Sequence, residues 1–160
     1  MPYAAQSPDQ LTPRDTILSM SGLEFMQRLL KGEIAGAPIA GTLNLSLLEV
    51  DEGRVVFSGT PEFGALNPSG AVHGGWYGTL LDSALGCAVM TKVPKGSVYT
   101  TLEYKVNITR AIPPGMLARC TAWTDHTGRS TGVAHGEISG AEDGKLYATG
   151  STTCIIMNAG

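Results

Sequence analysis

Long apolar runs are missing from this sequence: nothing in it approaches the roughly 18 consecutive apolar residues that a membrane span needs, although 42% of its residues are hydrophobic. The chain reads as a soluble globular protein with no membrane partner. Cysteine is also scarce. Cys87, Cys120 and Cys154 are odd in number and lack C-x-x-C spacing, which argues against a disulfide framework or a zinc knuckle and leaves reduced core thiols. Charged residues are few, at 16% against roughly a quarter in an average domain, so part of the surface is expected to lie against another copy of the chain. The net charge of −3 disfavours a nucleic-acid partner. His126 and His135 show neither H-x-H nor H-E-x-x-H spacing and read as turn and sheet positions, so no metal site is expected. The first eight residues have neither a basic nor an apolar stretch of the kind that opens a secretory signal, and the expectation is a cytoplasmic protein.

What is present suits one domain. At 160 residues the chain can build a single sizeable core. An N-terminal arm and short helix are expected over 1–40, and the main domain over 41–160. The first dozen residues read as a loose arm. Ser21 and Glu24 fit a capping box, Gly32 is a helix stop, and Leu23, Met26, Leu29 and Leu30 form an apolar stripe between them. That helix could cover a neighbouring subunit's pocket or extend the core. From Gly41 the pattern becomes extended: Thr42–Val50 and Arg54–Thr60 flank the turn Asp51-Glu52-Gly53. A central helix is expected from Gly74 to Met90, after the turn Asn67-Pro68-Ser69-Gly70. Strands Val98–Thr109, Met116–Asp125, Ser130–Ser139 and Leu146–Met157 follow, separated by Pro- and Gly-rich turns, with Leu146, Ala148, Gly150, Thr152, Cys154 and Ile156 on one face of the last. The fold class is α+β: an antiparallel sheet with one long helix to cover it.

Chemistry concentrates at the start of that helix. Gly74 and Gly75 offer backbone N–H groups that no side chain blocks, a candidate oxyanion hole, although two glycines also suit a tight strand-to-helix turn. Asp82 interrupts an apolar segment and has Gly78 and Gly86 at i−4 and i+4. Glycine inside a helix costs about 1 kcal/mol relative to alanine, so a ligand or a second helix is expected to approach closely there. Gly74 and Asp82 are eight residues apart, roughly 12 Å along one helix, too far to act on one carbonyl. Two antiparallel copies of the helix resolve this, which places the site at a dimer interface. The halves of the chain differ in charge, with four basic and nine acidic residues in 1–90 and seven and five in 91–160, so an anionic ligand should meet the second half. Trp76, Tyr77, Phe63 and Leu66 either line an acyl pocket or belong to the core.

The series Asn67-Pro68-x-Gly70-x-x-His73-Gly74-Gly75, then Asp82, then Thr100-Thr101-Leu102-Glu103-Tyr104, resembles the hotdog-fold acyl-CoA thioesterases of the phenylacetate-pathway (PaaI) type, over about Gly41 to Met157. The resemblance implies a sheet of five or six strands wrapped around one helix, a homodimeric catalytic unit, usually a homotetramer, and hydrolysis of an aryl or medium-chain acyl-CoA with no cofactor beyond the coenzyme A of the substrate. It implies Asp82 as the group that activates water or attacks the carbonyl. Asn67 and the Gly74 amide of the opposite subunit would polarise the carbonyl, His73 would order the turn or sit near the thioester sulfur, and Thr101 or Thr100 would position the water. Gly75, Thr100, Arg129 and Ser130 are implied in substrate binding, Arg129 at the nucleotide phosphates. Two other readings use the same residues: an enoyl-CoA hydratase or dehydratase with His73 as base, and a non-catalytic acyl-CoA-binding module.

Overall fold

The computed structural model describes residues 1–159. Three short helices come first: α1 (Arg14–Leu18), α2 (Gly22–Lys31) and α3 (Pro38–Thr42). A hairpin of β1 (Leu45–Asp51) and β2 (Arg54–Gly59) leads to the long helix α4 (Gly74–Met90). Strands β3 (Ser97–Ile108), β4 (Ala118–Thr127), β5 (Thr131–Gly140) and β6 (Leu146–Asn158) complete the chain. All six strands join one antiparallel sheet in the order β1-β2-β4-β5-β6-β3. This is the hotdog arrangement, with the sheet wrapped around α4.

Helix α4 can occupy that place because apolar residues surround it. Trp76, Tyr77, Leu80, Leu81, Ala84, Leu85, Ala88 and Val89 are all buried, a broad apolar face that leaves half-buried only Thr79, Asp82, Ser83 and Cys87. Val55, Ala118, Cys120, Ala122, Ala134, Ile138 and Ala148 meet it from the sheet. The three cysteines are free thiols. No helix among the described residues is long and apolar enough to cross a membrane.

Several local expectations are corrected. The arm is not loose: Ala5 N–H donates to Gly36 O at 3.0 Å, Gly36 N–H donates to Tyr3 O at 2.7 Å, and Ala5 is buried. The expected division at 40/41 falls inside α3, whose Pro38 sits at its start, where proline's missing N–H costs nothing. Strand β1 consequently begins at Leu45 rather than Thr42. Ser21 accepts from Glu24 N–H, but the Glu24 carboxylate pairs with Arg28 at 2.7 Å rather than closing a capping box. Gly32 stops α2 in the left-handed conformation at φ 72°. On α2 the core-facing residues are Phe25, Met26, Leu29 and Leu30, not Leu23. Leu146 is exposed and Tyr147 buried, because the β5–β6 register shifts beside Ser139 and Tyr147 turns in, its hydroxyl donating to Asp143 at 2.8 Å.

Candidate active site

Strand β3 runs alongside α4, and the two match at three points. An added Cβ on Gly86 would stand 2.6 Å from the Tyr99 hydroxyl, and one on Gly78 would stand 3.1 Å from the Tyr104 hydroxyl. Between them Thr101 Oγ1 donates to Asp82 Oδ1 at 2.9 Å. Residues 78, 82 and 86 lie one above another on the helix because they are four apart. Residues 101 and 104 of a regular strand would face opposite ways. They share a face because the β3–β6 register shifts between Thr101 and Glu103, which inserts the exposed Leu102 as a bulge. The body that approaches the helix glycines is therefore the pair of β3 tyrosines, not a ligand or a second helix. Before the bulge the strand alternates regularly, so Thr101, two residues from Tyr99, reaches the half-buried Asp82, and Thr100 lies on the exposed side of the strand.

The turn before α4 presents different groups. Asn67 Oδ1 accepts from Ser69 N–H at 3.0 Å, from Ala71 N–H at 3.1 Å and from Ser69 Oγ at 2.7 Å. Backbone N–H groups only donate, so they fix which end of the amide is oxygen and leave the Asn67 Nδ2 donors outside these contacts. His73 caps the helix, its Nδ1 accepting from Gly75 N–H at 2.9 Å. Nδ1 is therefore the unprotonated nitrogen and Nε2 carries the hydrogen, so the imidazole is a donor at its free end and not a base. That disfavours a hydratase with His73 as base. It also removes one expected oxyanion donor, because the Gly75 amide is already engaged. The Gly74 amide opens α4 without a partner among the described residues, and only Ile108 Cδ1, at 3.7 Å from an added Cβ, stands near it.

Asn67, His73 and Gly74 thus gather at one end of α4, while Asp82 and Thr101 meet at its middle. Within one protomer they do not converge. Arg129 and Ser130 are exposed in the β4–β5 turn, toward the opposite end of α4, where Gly132 packs on Val89. Trp76 and Tyr77 are core: Trp76 Nε1–H donates to Leu43 O at 3.1 Å, and Tyr77 Oη accepts from Ile112 N–H at 2.7 Å. Phe63 is 90% exposed, and Leu66 borders only a small hollow beside His73.

A larger cavity, of about 770 Å³, opens beside Asp82 between α4 and the N-terminal segment. Cys87 lines it, and burial followed by the charge of Asp82 pushes its thiol up to about 12. Sequence reasoning missed Tyr99, Tyr104 and this cavity. The paired glycines were the available signal for the tyrosines, and no sequence spacing announces the cavity.

No curated protein sequence matches this chain. The Thioesterase superfamily profile matches residues 69–147, a span that holds α4 with Asp82 and β3 with Thr101. Among solved structures, a phenylacetic acid degradation-related protein of Ralstonia eutropha JMP134 is 32% identical, covering 82% of this chain and 98% of its own, with a TM-score of 0.74. The phenylacetic acid degradation protein PaaI of Thermus thermophilus is 26% identical over 74% of this chain and 97% of its own, with a TM-score of 0.67. A hypothetical thioesterase of Streptococcus pneumoniae TIGR4, solved with coenzyme A, shares the fold at 24% identity over 72% of this chain and 87% of its own, with a TM-score of 0.65. Fold, profile and relatives agree, and the chain belongs to the thioesterase superfamily as a PaaI-type hotdog enzyme that hydrolyses thioesters.

Proposed function

We propose that the protein hydrolyses acyl-CoA thioesters at a site shared by two protomers, with Asp82 and Thr101 from one and Asn67 and Gly74 from the other. The observation that carries this reading is the placement of the two groups along β3. Asp82 lies at the level of Thr101, whereas Gly74 lies beside Ile108. β3 is an edge strand, hydrogen-bonded on one side to β6, and it exposes Leu102, Tyr104 and Ile108. Such an edge invites pairing with a second copy. A two-fold axis crossing β3 near Tyr104 and Lys105, midway between Thr101 and Ile108, would bring the partner's helix start to the level of Asp82.

The chemistry then follows from which atoms are free. Thr101 holds Oδ1 of Asp82, leaving Oδ2 to take a proton from water. The resulting hydroxide adds to the thioester carbonyl carbon. The Gly74 N–H and the Asn67 Nδ2 donors across the interface receive the charge that develops on oxygen. Collapse of that adduct breaks the C–S bond, and the departing thiolate recovers the proton, giving free acid and coenzyme A. For the nucleotide, the exposed Arg129 guanidinium supplies a bidentate phosphate partner, in keeping with the coenzyme A bound by the pneumococcal relative.

Thiol release from acyl-CoA substrates tests the reading. Asp82→Asn, with fold and oligomeric size unchanged, should lower turnover at least about a hundredfold, and turnover within threefold of native would contradict it.

A further inference from the structure

Behind the Asp82–Thr101 pair, on the helix-facing side of β6, stand two further polar side chains: Cys154, fully buried, and Thr152, 1% exposed. Strand register puts Cys154 directly opposite Thr101 on β3 and opposite Gly132 on β5, so no side chain meets it from the β5 side. Directly opposed side chains on one face of a sheet lie about 5 Å apart at Cβ, within reach of one another. The Cys154 thiol is in hydrogen-bonding contact with the Thr101 hydroxyl and with that of Thr152, whose Oγ1 is 3.9 Å from Sγ.

The count of protons fixes the direction of these bonds. A threonine hydroxyl has one proton and two lone pairs, and an ionised carboxylate only accepts. Thr152 gives its proton to Glu103 O at 2.7 Å, and Thr101 gives its own to Asp82 Oδ1 at 2.9 Å. Both hydroxyl oxygens therefore meet the thiol as acceptors, and the one proton left between them is the S–H of Cys154. Burial holds that thiol above its ordinary value, so it stays protonated at neutral pH. Rotation of the Thr101 hydroxyl toward Sγ would set two protons against each other. Its position toward Asp82 instead leaves a lone pair for the S–H.

We propose that Cys154 is a positioning residue for hydrolysis: with Thr152 engaged at Glu103 O, the Cys154 S–H donates to Thr101 Oγ1 and turns the Thr101 proton to Asp82 Oδ1, which keeps Oδ2 as the oxygen that meets water. The proposal rests on Asp82 being the hydrolytic carboxylate. Cys154 itself touches neither substrate nor water and acts only through Thr101. An S–H is a weak donor, so its loss should slow the reaction less than loss of the Thr101 hydroxyl.

Infrared spectra in the S–H stretching region read this bond without recourse to activity and without altering Cys154. Thr101→Val should move one of the thiol bands of Cys87, Cys120 and Cys154, and bands unmoved by that change would overturn the proposal. In thiol release from acyl-CoA, Cys154→Ala should lower kcat about threefold with KM changed by less than about twofold. Cys154→Ser, which puts a hydroxyl donor in the same place, should bring kcat back to within about 1.5-fold of native. In a Thr101→Val background Cys154→Ala should have no further effect on kcat, because the group it orients is gone. An equal loss in both backgrounds, or a serine variant as slow as the alanine one, would mark a packing role and overturn the proposal. Turnover undiminished in Asp82→Asn would instead overturn the catalytic reading on which it rests.

Discussion

Adding one methyl group to α4 should have opposite consequences at two positions that look equivalent in the sequence. Gly78 and Gly86 are helical, buried and equidistant from Asp82. On helix propensity alone, Gly→Ala stabilises either site by about 1 kcal/mol. At Gly86, however, the new Cβ would stand 2.6 Å from Tyr99 Oη and 3.0 Å from Cε2, well inside the 3.4 Å of ordinary contact. Tyr99 is half-buried against the core, so its ring must be displaced from that packing to admit the methyl. Overpacking of this kind costs about 1–3 kcal/mol, so Gly86→Ala should be destabilising by about 1 kcal/mol net. At Gly78 the nearest Tyr104 atoms would be at 3.1 and 3.2 Å, and Tyr104 is 45% exposed, free to withdraw by a few tenths of an ångström. Gly78→Ala should therefore be neutral or stabilising by up to about 1 kcal/mol. Urea unfolding at one fixed protein concentration measures both variants. A Gly86→Ala protein as stable as Gly78→Ala would refute the seating of Tyr99 on the helix. Because Thr101 is two residues from Tyr99, Gly86→Ala should also lose activity that Gly78→Ala keeps.

The threonine pair gives a sharper functional contrast. Thr101→Val, which removes the bond to Asp82 at nearly constant volume, should lower kcat about tenfold, while Thr100→Val should change it less than twofold; equal effects would show that the strand does not turn Thr101 alone toward Asp82. Alkaline pH should weaken the fold. Burial raises all three thiols, Cys87 up to about 12 from an ordinary value of 9.0, so between about pH 9 and 12 the unfolded chain releases protons that the folded chain retains. The urea midpoint should fall as pH rises through that window, and a flat profile up to about pH 10.5 would contradict the burial of the thiols.

The fold was legible largely because its central element is extreme. A helix apolar over most of its surface, beginning after an Asn-Pro-Ser-Gly turn and followed by four strands joined by short turns, has few places to go other than inside a wrapped sheet. The Gly74–Met90 boundaries were readable for the same reason. What could not be read was decided by contacts distant in sequence. Gly78 and Gly86 announce a close approach but not its source, since a bulge at Leu102 determines which β3 side chains face the helix. Gly74 and Gly75 look alike until the imidazole of His73 takes one of their amides. The arm reads as loose because its anchors are backbone bonds to Gly36, which leave no mark in side-chain pattern.

The central claim is that each site draws on two protomers, and mixed dimers test it most directly. Asp82→Asn and Asn67→Ala chains, each inactive alone and each confirmed to be folded, would be co-expressed with different tags. If the groups act across the interface, a heterodimer holds one doubly damaged site and one intact site. Random pairing then restores about a quarter of native thiol release, and purified heterodimer about half. Activity no higher than that of the separate variants would place Asn67 and Asp82 in the same subunit's site and contradict the account.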